Sequence, residues 1–389
     1  MKMNSYYPLS DKPRFEILDG LRGVAAIIVV LFHLFETYSK GPRFQILNHG
    51  YLAVDFFYML SGFVIGYAYD DRWYTMSTWS FIKRRLIRLQ PMVILGTAIG
   101  AFWFYFGDSP EFQPIMSTPW WKALVILLLG FIMFPTPPSL DIRGWQEINP
   151  LNGAQWSLLW EYIANLLYAL FIRRFSRTFL IIFVTISAFF SLDLALNFDI
   201  LGVLSPREYA KYTVIGGWSL TPTQIYIALC RLCYPFFMGL LLYRLSKWRI
   251  SFKKGGMWWC SLILAATLVM PWVGGNDHAW LNGVYCAAMI LFVYPVVVAA
   301  GAGSPLKGKK SVAICKFLGL ISYPIYVTHY PLIYAQMSWA SRHPDAPLGT
   351  HIWVAAWIFI AALAVAYASV KVYDIPVRKW LSDHWLRKK

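Results

Sequence analysis

Residues 18–33 read LDGLRGVAAIIVVLFH, and they lie within an apolar segment that extends over 17–39. A helix needs about 20 apolar residues to cross a bilayer, and this segment is long enough. Further segments of the same kind recur near 51–69, 88–106, 155–172, 178–197, 225–244, 257–273, 280–300, 315–339 and 351–373. One more, 120–134, is apolar but short. We therefore predict an all-α integral membrane protein, a bundle of about ten transmembrane helices plus one short re-entrant or interfacial segment.

The composition supports a membrane protein over a soluble one. Hydrophobic residues make up 58% of the 389 residues and charged residues 14%, whereas a soluble domain carries about 25% charge. The net charge of +16 does not indicate a nucleic-acid partner, because the basic residues lie in the gaps between the apolar segments. The partner that this placement predicts is the lipid bilayer.

The basic residues of the loops predict which helix ends face the cytoplasm. They cluster at 2–14, 83–88, 173–177, 244–254, 307–316 and 378–389. If 120–134 does not cross, about 25 basic residues fall inside and about 6 outside. The prediction is a transmembrane domain over 17–374, between cytoplasmic tails at 1–16 and 375–389.

Two ionisable residues of the first segment are predicted to share one helix face. Arg22 and His33 are eleven positions apart, which is three turns plus about 20°, and the rise between them is about 16 Å. An ionisable residue inside a membrane is most often functional. The alternative is that both are unrelated polar residues that face the interior of the bundle.

Two carboxylates of other segments fall at a comparable predicted depth. Asp55 lies about one turn into its helix, and Glu161 lies less than two turns into its own. A carboxylate beside an imidazole orients the ring and raises its basicity, so either residue could assist His33. The alternative is a buried ion pair that fixes the register of the helices.

His329 and Arg231 each have two interpretations. His329 follows Pro324, which we expect to kink the helix, and it is either a packed core histidine or a catalytic one. Arg231 could hold a carboxylate or a substrate. Cys230 and Cys233 form a CxxC beside it, but no second pair and no nearby His completes a zinc set. We therefore predict buried packing for these cysteines and no metal.

The sequence RRLIRLQP at 84–91 places three arginines at the start of a helix. Arg84, Arg85 and Arg88 share a turn and can converge on phosphate. The alternative is that they act only as a signal for membrane topology.

Five motifs occur in one order along the chain. They are LDGLRGVAAIIVVLFH (18–33), YLAVDFFYMLSGFVI (51–65), RRLIRLQP (84–91), WSLLWE (156–161) and GLISYPIYVTH (319–329). In these motifs the chain resembles acyltransferase family 3, a family of integral membrane acyltransferases with an Arg, ten residues and then a His. It departs from the family at Leu159, where Ser is common, and at Asp374, where Glu is common.

The resemblance implies an enzyme that takes an acyl group, usually acetyl, from cytoplasmic acyl-CoA to a hydroxyl of a glycan or related acceptor. It implies a place in the cytoplasmic (inner) membrane of a bacterium. Some relatives carry a second, esterase-like domain. Because this chain ends at 389 in a basic tail, we expect transfer to be completed within the bundle or by a separate partner. The sequence defines neither the acceptor nor the oligomeric state.

The residues permit a mechanistic hypothesis with acetyl-CoA as donor and no metal. A general base would act on the acceptor hydroxyl, and hydrogen-bond donors would stabilise the oxyanion. The catalytic candidates are His33, Asp55 and Glu161. The candidates for binding the donor are Arg22, Arg84, Arg85 and Arg88. The candidates for contacting the substrate or the oxyanion are Tyr323, His329 and Arg231.

Two other classes of function compete with this hypothesis. One is a multi-pass transporter of a small or lipid-linked substrate, in which the ionisable residues would form a path. The other is a membrane subunit that recruits a soluble transferase. Thermal stabilisation by CoA would separate the enzyme from the transporter, and acyl transfer by the purified chain would exclude the recruiting subunit.

Overall fold

The structure, a computed structural model, describes residues 12, 14–106, 110–112, 114–245 and 250–386. Some basic residues of the predicted cytoplasmic clusters lie outside these ranges, namely Lys2, Lys247, Arg249, Arg387, Lys388 and Lys389. Within the ranges the chain is helical and contains no β-strand, which confirms the all-α class. The α-helices are α1 (Glu16–Glu36), α2 (Ala53–Tyr69), α3 (Thr78–Phe106), α4 (Pro114–Ser117), α5 (Trp120–Phe131), α6 (Trp156–Leu170), α7 (Arg177–Leu196), α8 (Pro222–Arg244), α9 (Gly256–Val269), α10 (Trp280–Ala288), α11 (Tyr294–Gly303), α12 (Lys309–Thr328), α13 (Tyr330–Arg342), α14 (Leu348–Ala368) and α15 (Ile375–Trp385).

Within the described residues, ten helical stretches run between the two ends of the bundle, in agreement with the predicted number. We name these ends by the termini of α1, the Glu16 end and the Glu36 end. Eight of the stretches are long and apolar enough to cross a membrane. The other two are α6, with 15 residues, and α9, with 14. At the Glu16 end the Tyr168 hydroxyl of α6 donates to Asp70, and at the Glu36 end the Met270 carbonyl that follows α9 lies 2.7 Å from His49 Nδ1.

The short apolar segment does not carry the chain across the bundle. α5 has 12 residues, which is about 18 Å of helix against about 30 Å of hydrocarbon. α6 also begins at the end of the bundle where α3 finishes. The evidence is that Thr97 Oγ1, in the second half of α3, donates to the Gln155 side chain just before α6 at 3.0 Å. Gly100 packs directly against the Leu151 carbonyl. The prediction of one short additional segment is confirmed.

The two largest differences from the predicted spans are at the start of α3 and the end of α14. α3 begins at Thr78 rather than near 88, because the Ser77 hydroxyl accepts from the amide of Ser80 as an N-cap and no Gly or Pro interrupts the next turns. At the other terminus, α14 continues through π-helical turns at Ser369–Asp374 into α15. Residues 375–385, predicted as part of a tail, are therefore helical.

The helix that carries His329 is interrupted at His329 rather than at Pro324, and a kink within α12 at Pro324 stays a prediction. α12 runs through Pro324 and ends at Thr328, and α13 begins at Tyr330. The cause is Pro331, which has no N–H to donate to the carbonyl four residues earlier. That carbonyl, of Val327, accepts instead from Asn152 Nδ2 at 2.7 Å.

Glycines bring together the helix pairs that carry the ionisable residues. Gly20 and Gly23 of α1 face Cys315 and Leu318 of α12, where an added Cβ would lie 2.8 Å and 2.5 Å from the nearest atom. On α2, an added Cβ at Gly62 would lie 1.8 Å from the Phe236 carbonyl of α8. Small residues at such contacts allow helix backbones to approach closely in a membrane. The faces of α1 and α12 are thereby held against each other.

Candidate active site

The Arg22 side chain contacts α12 and the His33 side chain contacts His329, the residue directly after α12, which confirms that Arg22 and His33 share a face of α1. Arg22 Nε donates to Ser322 Oγ at 2.9 Å, and Arg22 also donates to Asp19 at 3.1 Å. The His33 ring stacks on the His329 ring, with centroids 5.4 Å apart and planes 29° from parallel. The two ends of one helix face therefore carry a guanidinium and an imidazole.

The carboxylate that orients His33 is Glu36, so the prediction of Asp55 or Glu161 for this role is wrong. His33 Nδ1 lies 2.6 Å from Glu36 Oε2. A carboxylate accepts hydrogen bonds only, so Nδ1 is the donor to Glu36, and in the neutral form of the ring the lone pair is therefore on Nε2. The edge of the Tyr330 ring packs at right angles to His33, with centroids 4.8 Å apart.

Asp55 is occupied by Arg231 and cannot serve His33. Its Oδ2 accepts from Arg231 at 2.8 Å, and both side chains are almost completely buried. Arg231 also donates to the carbonyls of Tyr51, at 2.7 Å, and Gly216, at 3.2 Å. Of the two roles considered for Arg231, holding a carboxylate is the one that these contacts support.

Glu161 lies deeper in the bundle than predicted. Its Oε1 accepts from Ser61 Oγ at 2.5 Å and from Arg85 at 2.9 Å. Ser61 is six residues beyond Asp55 on α2, which places Glu161 about 9 Å nearer the Glu16 end than Asp55. The prediction of equal depth is therefore wrong, because position along each helix does not fix how helices are shifted against each other.

The three arginines of RRLIRLQP do not all line one cavity, but Arg88 shares a cavity with each of the other two. Arg85 donates to Glu161 and lines a narrow cavity together with Arg88, whereas Arg84 and Arg88 both line a cavity of about 350 Å³ beside Lys379. Adjacent residues on a helix are 100° apart, which separates Arg84 from Arg85. Arg85 and Arg88 both line parts of a longer path through the protein, described below.

Tyr323 and His329 have defined hydrogen bonds. The Tyr323 hydroxyl donates to the Leu89 carbonyl at 2.7 Å, about two turns from His329. His329 is fully buried, and its Nδ1 donates to the carbonyls of Ile325 and Tyr326 at 3.0 and 2.9 Å. Its Nε2 has no hydrogen-bond partner among the residues the structure describes.

A cavity of about 940 Å³ opens at the Glu36 end, and His33 and Glu36 form part of its wall. Glu147 lies in the same wall, and its Oε2 accepts from the Tyr334 hydroxyl at 2.9 Å. Burial raises the pKa of Glu147 to about 7, although nearby Arg143 and the bond from Tyr334 act to lower it. We call this space the Glu36-end cavity.

A second cavity, of about 720 Å³, lies at the Glu16 end and is strongly basic. Its charged lining residues are three acids, Glu16, Asp19 and Asp374, and seven bases, Lys12, Arg14, Arg22, Arg72, Arg88, Lys316 and Arg378. Four of the bases have carboxylate partners. In the part of the chain that is described, Arg14, Arg72 and Arg88 have none. We call this space the Glu16-end cavity.

A narrow cavity of about 80 Å³, the throat, lies between the two larger ones. It shares Arg22, Arg88 and Tyr323 with the Glu16-end cavity. It shares Val54 and Tyr326 with the Glu36-end cavity. A line of cavities therefore extends along the inside of α1, from unpaired arginines at one end to the His33 imidazole at the other.

Several residues of this site were absent from the sequence prediction. Glu36 could have been recognised, because residues three apart on a helix are neighbours. Arg72, Arg378 and Glu147 could not, because they reach the cavities from loops and helix ends whose placement depends on tertiary packing. No group of three His, Cys, Asp or Glu that could hold a metal occurs in the described ranges.

Comparison with known proteins identifies the class of this site. A family model described as an acyltransferase domain matches residues 15–371. The match covers nearly the whole chain and all five motifs, so the protein belongs to acyltransferase family 3. It is an integral membrane acyltransferase, as the motifs predict.

The chain is similar to three named relatives. It is 35% identical to Protein 2 in picA locus of Rhizobium radiobacter over 170 residues, which are 41% of this chain and 83% of that protein. It is 24% identical to the O-acetyltransferase OatA of Staphylococcus aureus over 370 residues, 93% of this chain but 57% of that protein. It is 24% identical over 342 residues to BcsY of Komagataeibacter xylinus, assigned as a membrane-bound transacylase, with 84% of this chain and 74% of that protein covered. No solved structure is significantly similar.

Proposed function

We propose that this membrane acyltransferase moves an acetyl group from acetyl-CoA to a hydroxyl of a glycan or related acceptor. The observation that carries the proposal is the line of cavities between the Glu16-end arginines and His33. A donor with phosphates at one end and a thioester at the other matches that arrangement. The rise of about 16 Å between Arg22 and His33 is of the same order as the extended pantetheine arm.

The basic Glu16-end cavity is the proposed site for the CoA phosphates. Guanidinium groups bind phosphate oxygens through charge-assisted, often bidentate hydrogen bonds. Arg14, Arg72 and Arg88 line the cavity without a carboxylate partner, so their charges are available to an anion. The excess of basic residues supports, by the positive-inside rule, our proposal that this end and both tails of the chain face the cytoplasm, with the protein in the inner membrane of a bacterium.

His33 is the proposed general base. Its Nε2 takes the proton of the acceptor hydroxyl, and the hydroxyl oxygen forms a bond to the thioester carbonyl carbon. When the tetrahedral intermediate collapses, the C–S bond breaks and the proton passes to the CoA sulfur. The products are the acylated acceptor and CoA. Glu36 is a positioning residue that keeps the proton on Nδ1 and stabilises the imidazolium.

We assign a structural role to the two ion pairs beside the path, which is to hold the arginine side chains in place. Asp55 holds Arg231 in the wall of the Glu36-end cavity, and Glu161 holds Arg85 beside the throat. Removing one member of a buried pair leaves an unpaired charge, which costs several kcal/mol. We therefore expect Asp55 and Glu161 to maintain the shape of the path rather than to contact reacting atoms.

The experiment is single-turnover transfer by the purified full chain in lipid nanodiscs. Acetyl-CoA should raise the melting temperature, and a hydroxyl acceptor should accelerate release of CoA. An Arg88→Gln variant should weaken the thermal shift, whereas Lys253→Gln, an exposed residue away from the cavities, should not. A chain that neither responds to acetyl-CoA nor releases CoA is not the enzyme proposed.

A further inference from the structure

The Glu36-end cavity has the opposite electrostatic character to the Glu16-end cavity. Its lining contains the acidic side chains of Glu36, Glu111 and Glu147, of which Glu147, with a pKa of about 7, carries only part of a negative charge at neutral pH. Arg231 is the one Lys or Arg among the described lining residues, and its charge is neutralised by Asp55 at 2.8 Å. Among the described lining residues, the acceptor side of the path is therefore acidic and has no Lys or Arg that lacks a carboxylate partner.

This charge pattern discriminates between classes of acceptor. A carboxylate or phosphate on the acceptor would approach Glu36, Glu111 and the partly ionised Glu147 in a partly enclosed space, where like charges repel more strongly than in water. An uncharged hydroxyl instead donates a hydrogen bond to a carboxylate. An ammonium group on the acceptor would in addition be attracted electrostatically to the acidic side chains of the lining.

Aromatic rings complete the lining. Trp145, Trp218, Tyr209 and Tyr330 all border the cavity. The face of such a ring is electron-rich and attracts positively polarised C–H groups, such as those on the face of a sugar ring, and cations even more strongly. A cavity lined by aromatic side chains and carboxylates is therefore suited to bind a sugar ring that carries hydroxyl or amino groups.

The size of the cavity suits more than one sugar ring. Its volume of about 940 Å³ lies at the upper end of the about 300–1,000 Å³ that small-molecule sites occupy. The distribution of the carboxylates also fits an extended ligand. Glu36 lies beside His33, whereas Glu147 contacts Tyr334 and Glu111 is exposed at the rim.

We infer that the acceptor is an uncharged or amine-bearing saccharide, held by the aromatic rings and carboxylates of the Glu36-end cavity, and that anionic saccharides are rejected. The inference rests on the proposed function and specifies its acceptor. It assigns Glu111 a role in specificity that no reaction step requires.

The test is a panel of acceptors matched in stereochemistry and differing in charge. Methyl glycosides and tetrasaccharides of glucose, galactose and mannose are offered to the chain in nanodiscs with labelled acetyl-CoA, together with their 2-amino and uronic acid counterparts. Transfer to the neutral or amino members should exceed transfer to the matched uronates by about tenfold or more. The Glu111→Lys variant should reduce that ratio at least about threefold, whereas Asp277→Lys, a charge reversal at an exposed site outside the lining, should leave it unchanged.

The possible outcomes are distinct. Equal or faster transfer to uronates overturns the inference, as does a ratio that Glu111→Lys leaves unchanged. If Glu111→Lys does not fold, Glu111→Gln is measured in its place. Binding of acetyl-CoA without transfer to any saccharide also overturns the inference but leaves the proposed function standing. Failure to bind acetyl-CoA overturns both.

Discussion

His33 Nδ1 lies 2.6 Å from Glu36 Oε2, one helical turn further along the same helix. Both residues belong to α1, so the backbone geometry of a single helix sets their distance. The orientation of the imidazole therefore does not depend on how α2 or α6 packs. His329 and Tyr330 cover the other sides of the ring, which leaves Nε2 as the atom available for proton transfer.

Replacing His33 should abolish transfer without preventing donor binding. In His33→Ala the rate of acetyl transfer should fall by about 100-fold or more, because general bases contribute factors of about 100 to 10,000. The thermal shift with acetyl-CoA should persist, since the phosphates bind at the opposite end of the bundle. Wild-type transfer rates in this variant, or in the better-packed His33→Gln, would refute the role.

Replacing Glu36 should reduce kcat while leaving KM for acetyl-CoA unchanged. We expect a decrease of about 10- to 100-fold in Glu36→Gln, because the amide does not stabilise the imidazolium. Glu208→Gln removes an exposed carboxylate that pairs with Lys211, and it should have no effect. The effects of replacing His33 and Glu36 should also be non-additive. Adding Glu36→Gln to His33→Ala should therefore not reduce kcat any further. Additive losses would show that Glu36 acts independently of His33.

Removing the Asp55 charge should destabilise the fold more than it alters chemistry. Asp55→Asn leaves the buried Arg231 unpaired, and the free energy of unfolding should fall by about 3–5 kcal/mol. A double variant with Leu at both positions should recover part of that loss. Two quantities are measured for each variant: the free energy of unfolding, by denaturant titration in detergent, and kcat at low temperature. Normal stability with a strongly reduced kcat would instead favour the original prediction that Asp55 is catalytic.

Glu147 should make stability depend on pH. Its pKa is about 7 in the folded protein against 4.5 in the unfolded chain. The folded state therefore binds more protons between these values, so stability is fully present below pH 4.5 and is lost as pH rises through 7. The loss is about 3 kcal/mol at about 1.4 kcal/mol per pKa unit. Melting curves recorded from pH 4 to 8 should show that Glu147→Gln removes this pH dependence. If the difference in melting temperature between wild type and Glu147→Gln is the same at every pH in that range, the raised pKa of Glu147 is contradicted.

The helices were predictable where a local pattern determines them. Apolar length identified α1, α2, α7 and α8 to within a few residues, because each is long and bounded by polar loops. The start of α3 was missed because basic residues do not end a helix. The sequence predicts a kink at Pro324 but not the break before α13, because both Pro324 and Pro331 remove a hydrogen bond and only the contact from Asn152 shows where the carbonyl freed by Pro331 is satisfied.

The sequence by itself determined the helical class, the approximate number of crossings and the shared face of Arg22 and His33, because hydrophobic length and a 3.6-residue period are properties of one segment. Only the tertiary structure decided which charges meet. Asp55 pairs with Arg231, Glu161 with Arg85, and unpaired arginines from several elements surround the Glu16-end cavity. The physical reason is that rotation and axial shift of one helix against another are set by side-chain packing, which no single segment encodes.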